Sequence, residues 1–205
     1  MVYQRSVGGT EAVPEWTEAA KHNRTAAAQI ALANDARFRL VDAPNVDASN
    51  SELFREHVEL FKIIALKLDG VVKMGGKPWQ EVRDHADFHL GNGLRFLQTQ
   101  TGARYALVIA GAQIKQTGSS IFAQLMLAGL TGVYVPGGGT YLLCGLIDLQ
   151  DGRGTWYNSL QGISIYGMGG GANVKDEGGA DKLIGNLFKV YPASPGLTFV
   201  AASSP

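Results

Sequence analysis

Cysteine is nearly absent from the chain, because Cys144 is the only one among 205 residues. An internal disulfide is therefore excluded. The compartment stays open, because cytoplasmic proteins and many envelope proteins both lack disulfides. Cys144 lies within an apolar segment, where a cysteine usually behaves as a small buried hydrophobic residue. We expect this thiol to be buried.

An excess of charge is also lacking. The chain has 18 basic and 18 acidic residues, so its formal net charge at pH 7 is zero. Without an excess of positive charge, no overall field attracts a polyanion. We therefore expect no binding of nucleic acid.

No hydrophobic run is long enough to be a transmembrane helix. The longest nearly apolar stretch, 121–135, has 15 residues, whereas a spanning helix takes about 20. The first 16 residues contain neither the apolar core of a signal peptide nor a lipidated-cysteine junction. These features predict either a cytoplasmic protein or a chain whose leader is gone.

Motifs for nucleotide binding and nucleophilic catalysis are missing as well. The glycine-rich segments 137–139 and 167–171 contain no Gly-Lys-Ser/Thr and no GxGxxG between a strand and a helix. No GxSxG motif provides a nucleophile. The glycine segments are therefore interpreted as loops or bulges, and we expect neither an enzyme nor a cofactor.

The most informative segment is 141–160, in which two apolar runs flank the turn sequence 151–154. Glycines permit the positive φ that a chain reversal requires, and the flanking Leu, Ile, Trp and Tyr suit a pleated, half-buried surface. This pattern predicts a β-hairpin.

Helical and extended patterns alternate before and after this hairpin. Together they predict an α/β (α+β) fold with a mixed central sheet and helices packed on it. We expect one domain over 1–192 and a flexible tail over 193–205. The predicted elements are a helix from Pro14 to Ala31, a strand over 38–41, a helix capped by Asn50 or Ser51 and continuing to Leu68, a helix over 90–101 ended by Gly102, a central strand over 105–110, and a last helix over about 176–190.

The most chemically suggestive cluster contains Asp84, His85, Asp87 and His89. On a helix, the two histidines would share a face, and an aspartate would have to supply a third ligand for zinc. The alternative is a polar loop before the third helix, in which an aspartate acts as a cap. Both interpretations stay open, with the metal site as the minor one.

Segment 121–135 is apolar on all sides and leads into Pro136 and three glycines. It is either a buried core helix or an exposed patch of the kind that marks a partner surface. In the second case, the partner-binding candidates are Phe122, Leu125, Met126, Leu130 and Tyr134.

Four short motifs are similar to an uncharacterised group of bacterial envelope lipoproteins. The resemblance spans most of residues 8–190, and the last motif is the most specific. The matching residues are Gly8, Gly9, Glu11, Trp16 and Thr17, then Asp87, Leu90 and Gly91, then Thr101, Gly102, Ala103, Tyr105, Ala106 and Leu107, and finally Asp148, Leu149, Gly152, Trp156 and Asn158.

The hairpin also resembles those of outer-membrane lipoproteins whose fold is like the N-terminal domain of TolB. That set includes penicillin-binding-protein activators and the curli-secretion channel subunit. The resemblance implies an α/β sandwich in a periplasmic or outer-membrane-attached scaffold that is not an enzyme. The chain departs from the pattern at Phe88, where tryptophan is usual, and at His89, which replaces a small hydroxyl residue. The second departure weakens the histidine cluster as a family site.

The leading hypothesis is therefore a non-catalytic lipoprotein domain of the bacterial cell envelope. It would bind protein partners or form a homo-oligomer, and its membrane association would come from an N-terminal lipid anchor absent from this chain. A second hypothesis is a metal-binding domain or metal-dependent enzyme built on the aspartate–histidine cluster. A third is a ring or channel component that uses 121–135.

Overall fold

The computed structural model describes residues 1–6, 9–33, 38–42, 44–74, 88–116, 139–163, 173–189 and 197–203. Within these ranges the helices and strands follow one another along the chain in a mixed α/β pattern. They are β1 (Val2–Ser6), β2 (Gly9–Ala12), α1 (Pro14–Ala33), β3 (Phe38–Val41), α2 (Ala48–Met74), a 3-10 turn (Asn92–Leu94), α3 (Arg95–Thr101), β4 (Tyr105–Gln116), β5 (Gly139–Asp148), β6 (Gly154–Ile163), α4 (Glu177–Phe188) and β7 (Leu197–Ser203).

The strands form a mixed sheet in which β2, β1, β4, β5 and β6 are successive neighbours. Strand β1 is antiparallel to β2 and parallel to β4. The predicted mixed α/β class is therefore confirmed, and so is the central position of the strand that begins at Tyr105. None of the described helices is both long and apolar enough to cross a bilayer.

The chain forms two compact units. Unit 1 comprises Met1–Ala27, Gly111–Leu142 and Leu160–Asn186. Unit 2 comprises Ala28–Ala110, Leu143–Ser159 and Leu187–Pro205. The single domain expected over 1–192 stays a prediction.

Strand β7 corrects the expectation of a flexible tail after residue 192. Its backbone pairs in parallel with β3, from Phe38↔Leu197 to Val41↔Val200, and with the first half of β4, from Tyr105↔Phe199 to Ile109↔Ser203. The segment Leu-Thr-Phe-Val has the β-branched and aromatic residues that favour strands. The prediction of a loose tail is therefore wrong for Leu197–Ser203.

The start of α2 also differs from the prediction. Asp47 caps the helix, because its Oδ1 accepts hydrogen bonds from the backbone N–H of Asn50 (2.9 Å) and the hydroxyl of Ser49 (2.7 Å). The hydrogen bond from Ser49 contributes most to the lowered pKa of Asp47. A cap at Asn50 or Ser51 is therefore wrong. The helix is longer at both ends than its apolar pattern indicated.

The ending of α3 follows the sequence prediction. Gly102 adopts a left-handed conformation with φ of 69°, and its N–H donates to the carbonyl of Gln98. Glycine takes this conformation without the steric penalty that a Cβ brings. The predicted helix stop at Gly102 is confirmed.

Strand β5 lies deep in the core. Every position from Thr140 to Asp148 is buried. A strand with one solvent-exposed face would instead alternate buried and exposed side chains. Cys144 is fully buried, as predicted, and burial raises the pKa of its thiol well above the usual range. Because the thiolate is the nucleophilic form, Cys144 is suited to packing rather than to chemistry.

Candidate functional site

The predicted hairpin is confirmed, and its turn lies between Asp148 and Gly154 in unit 2. The N–H of Asp148 donates to the carbonyl of Arg153, and the N–H of Gly152 donates to the carbonyl of Asp148, each at 2.8 Å. Gly152 has φ of 79°, a backbone conformation that residues other than glycine rarely adopt. The turn therefore depends on this glycine.

The loop that contains Phe88 and Gly91 packs directly against the hairpin turn. The N–H of Leu90 donates to the carbonyl of Gly152 at 2.8 Å, and the N–H of Gly154 donates to the carbonyl of Phe88 at 2.7 Å. A Cβ on Gly152 would lie 1.8 Å from the carbonyl oxygen of Gly91. Glycine is therefore required at position 152 for two reasons: the backbone angle, and the close approach of the Gly91 carbonyl.

A second contact to the turn comes from Arg104, just before β4. The backbone N–H of Leu149 donates to the carbonyl of Arg104 at 2.8 Å. The Arg104 guanidinium forms an ion pair with Asp148 at 3.0 Å. The Asp148 side chain is 8% exposed and also accepts from the backbone N–H of Gln150. This carboxylate therefore joins β4 to the hairpin.

We call Phe88, Leu90, Gly91, Arg104, Asp148, Gly152 and Gly154 the hairpin-turn cluster. Several of its residues belong to the motifs that carry the envelope-lipoprotein resemblance. Two further motif residues lie on β6: Trp156 stacks on Phe188 with ring centroids 6.2 Å apart, and Asn158 Nδ2 donates to the carbonyl of Leu187 at 2.6 Å. The contacts of these motif residues in unit 2 are therefore backbone hydrogen bonds and packing in the core.

Unit 2 also contains a buried carboxylate, Asp69 on α2, which is 6% exposed. Its Oδ1 accepts hydrogen bonds from the hydroxyls of Tyr157, at 3.3 Å, and Ser159. A buried charge is tolerated only with such partners. This cluster therefore ties α2 to β6.

Asp69→Ala is expected to lower the free energy of unfolding by about 2–4 kcal/mol, because the buried hydroxyl of Tyr157 and the partly buried hydroxyl of Ser159 lose their shared acceptor. Urea unfolding followed by circular dichroism measures the change. The matched control is Asp181→Ala on the exposed surface of α4, for which we expect a change of no more than about 0.5 kcal/mol. Equal effects at the two positions would contradict a stabilising role for the Asp69 cluster.

Three of the four proposed metal ligands lie outside the described residues: Asp84, His85 and Asp87. His89 is described and exposed, and its Nδ1 accepts a hydrogen bond from the N–H of Gly91 at 2.9 Å. A metal would therefore have to bind Nε2 or displace this bond. Within the described part of the chain, no three His, Cys, Asp or Glu side chains are grouped as a metal site requires.

The partner-binding candidates from the sequence also lie outside the described residues. This applies to the whole of 121–135, with Phe122, Leu125, Met126, Leu130 and Tyr134, and to the glycine segment 167–171. Of the other glycine segment, Gly139 is described and begins β5.

Two features of the described residues were not predicted from the sequence. The first is an exposed apolar row on α2, which we call the α2 stripe: Leu60, Ile63 and Val71 are 37%, 63% and 52% exposed. At 3.6 residues per turn, spacings of three and eight residues place them on one face. The signal was present, since 60–72 is apolar around most of the helix.

The second is Arg24 on α1, which is only 7% exposed. Its Nε donates to the carbonyl of Ala20 at 3.1 Å, and burial lowers its pKa. Arg24 borders a small cleft of unit 1 with Thr17, Gln113, Leu142 and Val174. The signal in the sequence was a charge that stands, with Thr25, directly before a run of alanines on a predicted helix.

No family model, curated protein or solved structure matches the chain. The motif resemblance to envelope lipoproteins therefore stays a prediction.

Proposed function

We propose that the chain is a non-catalytic assembly module that pairs with a second copy of itself through the α2 stripe. The observation that carries this proposal is the alignment of Leu60, Ile63 and Val71 on the solvent side of one helix. Single exposed apolar residues are ordinary on a protein surface, but an aligned row is a candidate contact surface.

The opposite side of α2 is already used for packing. Phe61 and Ala65 are fully buried, and Phe54, Val58 and Leu68 are nearly so. The α2 stripe is therefore not needed to hold the helix on its own unit. Its exposure costs solvation free energy in the single chain, and a partner helix would recover part of that cost by covering Leu60 and Ile63.

The charges around the α2 stripe favour a second copy in antiparallel orientation. Glu52, Glu56 and Glu59 lie on the N-terminal half of α2, whereas Lys62 and Lys67 lie on the C-terminal half. A two-fold axis at Ile63 would place Glu59 of one copy opposite Lys67 of the other, because each lies four positions from Ile63. Symmetric pairs are self-complementary in this way.

The pairing is expected to be weak. One pair of helices covers less than the roughly 1,200–2,000 Å² of a stable interface. Glu59 already forms a 2.6 Å ion pair with Lys62, but both side chains are partly exposed. Such surface pairs contribute little, so Glu59 is able to exchange partners. We expect dissociation constants in the micromolar to millimolar range.

Ile63→Glu is expected to weaken self-association at least tenfold, about 1.4 kcal/mol. The two introduced carboxylates would meet at the two-fold axis, and the central apolar contact would be lost. Sedimentation equilibrium over a wide concentration range measures the constant. The matched control is Ile30→Glu on α1, because Ile30 is 58% exposed and Ile63 is 63% exposed.

A charge exchange tests the antiparallel register in the same measurement. Glu59→Lys and Lys67→Glu should each weaken association, and the double variant should restore it, because the opposite charges then face each other again. A wild-type chain that stays monomeric throughout, or an Ile30→Glu variant as impaired as Ile63→Glu, would contradict the proposal.

The proposal includes a place in the bacterial cell envelope and a fold like the N-terminal domain of TolB. Both rest on the motif resemblance, in particular on Asp148, Leu149, Gly152, Trp156 and Asn158. An assembly module is compatible with a scaffold of that kind, since neither requires a catalytic group.

A further inference from the structure

Arg24 is a buried cation of unit 1 that makes one direct hydrogen bond to the described residues. Its Nε donates to the carbonyl of Ala20, which uses one of the five N–H donors of a guanidinium. Across the described ranges, Arg24 forms no ion pair and no second hydrogen bond. Burying a charged group is costly unless its polar atoms are hydrogen-bonded. The remaining guanidinium N–H groups therefore favour an acceptor in the space beside them.

The wall of the small cleft beside Arg24 contains an acceptor as well as these donors. Gln113 on β4 borders the cleft, and its carboxamide oxygen is buried. Thr17 also lies in the wall, but its hydroxyl already donates to the carbonyl of Val13 and accepts from the N–H of Val2. A carboxamide oxygen only accepts, and a guanidinium only donates. A group that serves both must therefore accept and donate, which an anion does not do.

The volume of the cleft limits the size of that group. The free space is about 10 Å³, and Ala20, Leu142 and Val174 form the apolar part of the wall. This volume lies at the lower limit of what one water molecule needs. Chloride and molecules with several heavy atoms are larger. The cleft therefore accommodates one group of the size of water.

We propose that the cleft binds one water molecule, which accepts from the Arg24 guanidinium and donates to the Gln113 carboxamide oxygen. Buried waters typically make about three hydrogen bonds to polar groups of the protein. This water connects α1 to β4. Because Gln113 Nε2 donates to the hydroxyl of Thr140 on β5, one polar chain then links three elements of unit 1. The inference does not depend on the proposed pairing of α2.

Magnetisation transfer from water to buried methyl groups tests the site in the unmodified protein. The methyl groups of Ala20 and Val174 border the cleft and are 3% exposed, so both should show a rotating-frame Overhauser cross peak at the water frequency. The matched control is Ala28 on the same helix, which is fully buried and does not line the cleft. It should show no such peak. Missing peaks at both cleft methyl groups, or an equal peak at Ala28, would overturn the proposal.

Oxygen-17 relaxation dispersion of the solvent counts long-lived internal waters without interference from exchanging N–H and O–H protons. Folded Arg24→Met should lose about one water relative to wild type, because a buried water needs at least two polar partners. Arg55→Met should lose none, since Arg55 is exposed and paired with Glu52. An unchanged count in folded Arg24→Met would contradict the bridge. If that variant fails to fold, Gln113→Met replaces it with the same expected loss, and the methyl experiment requires no variant.

Discussion

Gly152→Ala is expected to lower the free energy of unfolding by about 4 kcal/mol or more. The residue has φ of 79°, so any side chain there is strained. The added Cβ would lie 1.8 Å from the carbonyl oxygen of Gly91 and 2.4 Å from its carbonyl carbon. These are backbone atoms, which cannot rotate aside as a flexible side chain does. The loop at Gly91 would have to move, and the hydrogen bond from Leu90 to Gly152 would be lost.

Two other glycines separate the contributions to this effect. Gly91 has φ of 74° and ψ of 174°, a conformation essentially restricted to glycine, but a Cβ there would meet nothing within 4 Å, so Gly91→Ala should cost only the backbone strain, about 1–3 kcal/mol. Gly185 lies in α4 with open space around it, so Gly185→Ala should stabilise by about 0.5–1 kcal/mol. Urea unfolding of all three variants gives the order. A Gly152→Ala cost no larger than that of Gly91→Ala would contradict the close approach of the two loops.

Local patterns predicted the elements whose causes are local. The hairpin, strand 38–41 and the stop at Gly102 were predicted because turn glycines, β-branched residues and the left-handed conformation act over a few residues. The first helix was predicted from its proline start, and α1 does begin at Pro14. The mixed α/β class followed from the order of these elements.

Features that depend on distant partners were not predictable in the same way. Strand β7 was missed because its stability comes from pairing with β3 and β4, which lie far away in the chain. The complete burial of β5 depends on what covers its two faces. A half-buried hairpin and a fully buried strand have similar composition, so the sequence of 141–148 did not distinguish them.

The candidate sites also depend on partners that lie far away in the chain, so local patterns do not predict them. In the sequence, Asp69 is one charge near the end of a predicted helix, and only its contacts with Tyr157 and Ser159 show why it is there. The burial of Arg24 likewise depends on residues far away in the chain, such as Gln113 and Val174. Because Asp69 lies four residues after Ala65, helical spacing places it beside the apolar face of α2.

Trp156→Ala is expected to lower the free energy of unfolding by about 3–5 kcal/mol. The side chain is 1% exposed and belongs to the largest fully buried groups of the described residues. Its ring stacks on Phe188 at the end of α4, with an angle of 23° between the planes. Truncation would leave a cavity and remove the ring contact, because neighbouring groups collapse only partly into such a space. Circular dichroism during urea unfolding measures the change without relying on the fluorescence of the residue removed.

The control for this prediction is the same substitution at Trp16, which belongs to the motif resemblance as well. Trp16 is only partly buried, and Lys175 lies 5.5 Å from its ring centroid. Trp16→Ala should cost about 1–2 kcal/mol, since less apolar surface returns to water and a partly exposed cation–π contact contributes little. Trp156→Phe should recover part of the loss, because it keeps an aromatic ring against Phe188. Equal costs for the two alanine variants would contradict the prediction that the deeper burial of Trp156 gives it the larger contribution to stability.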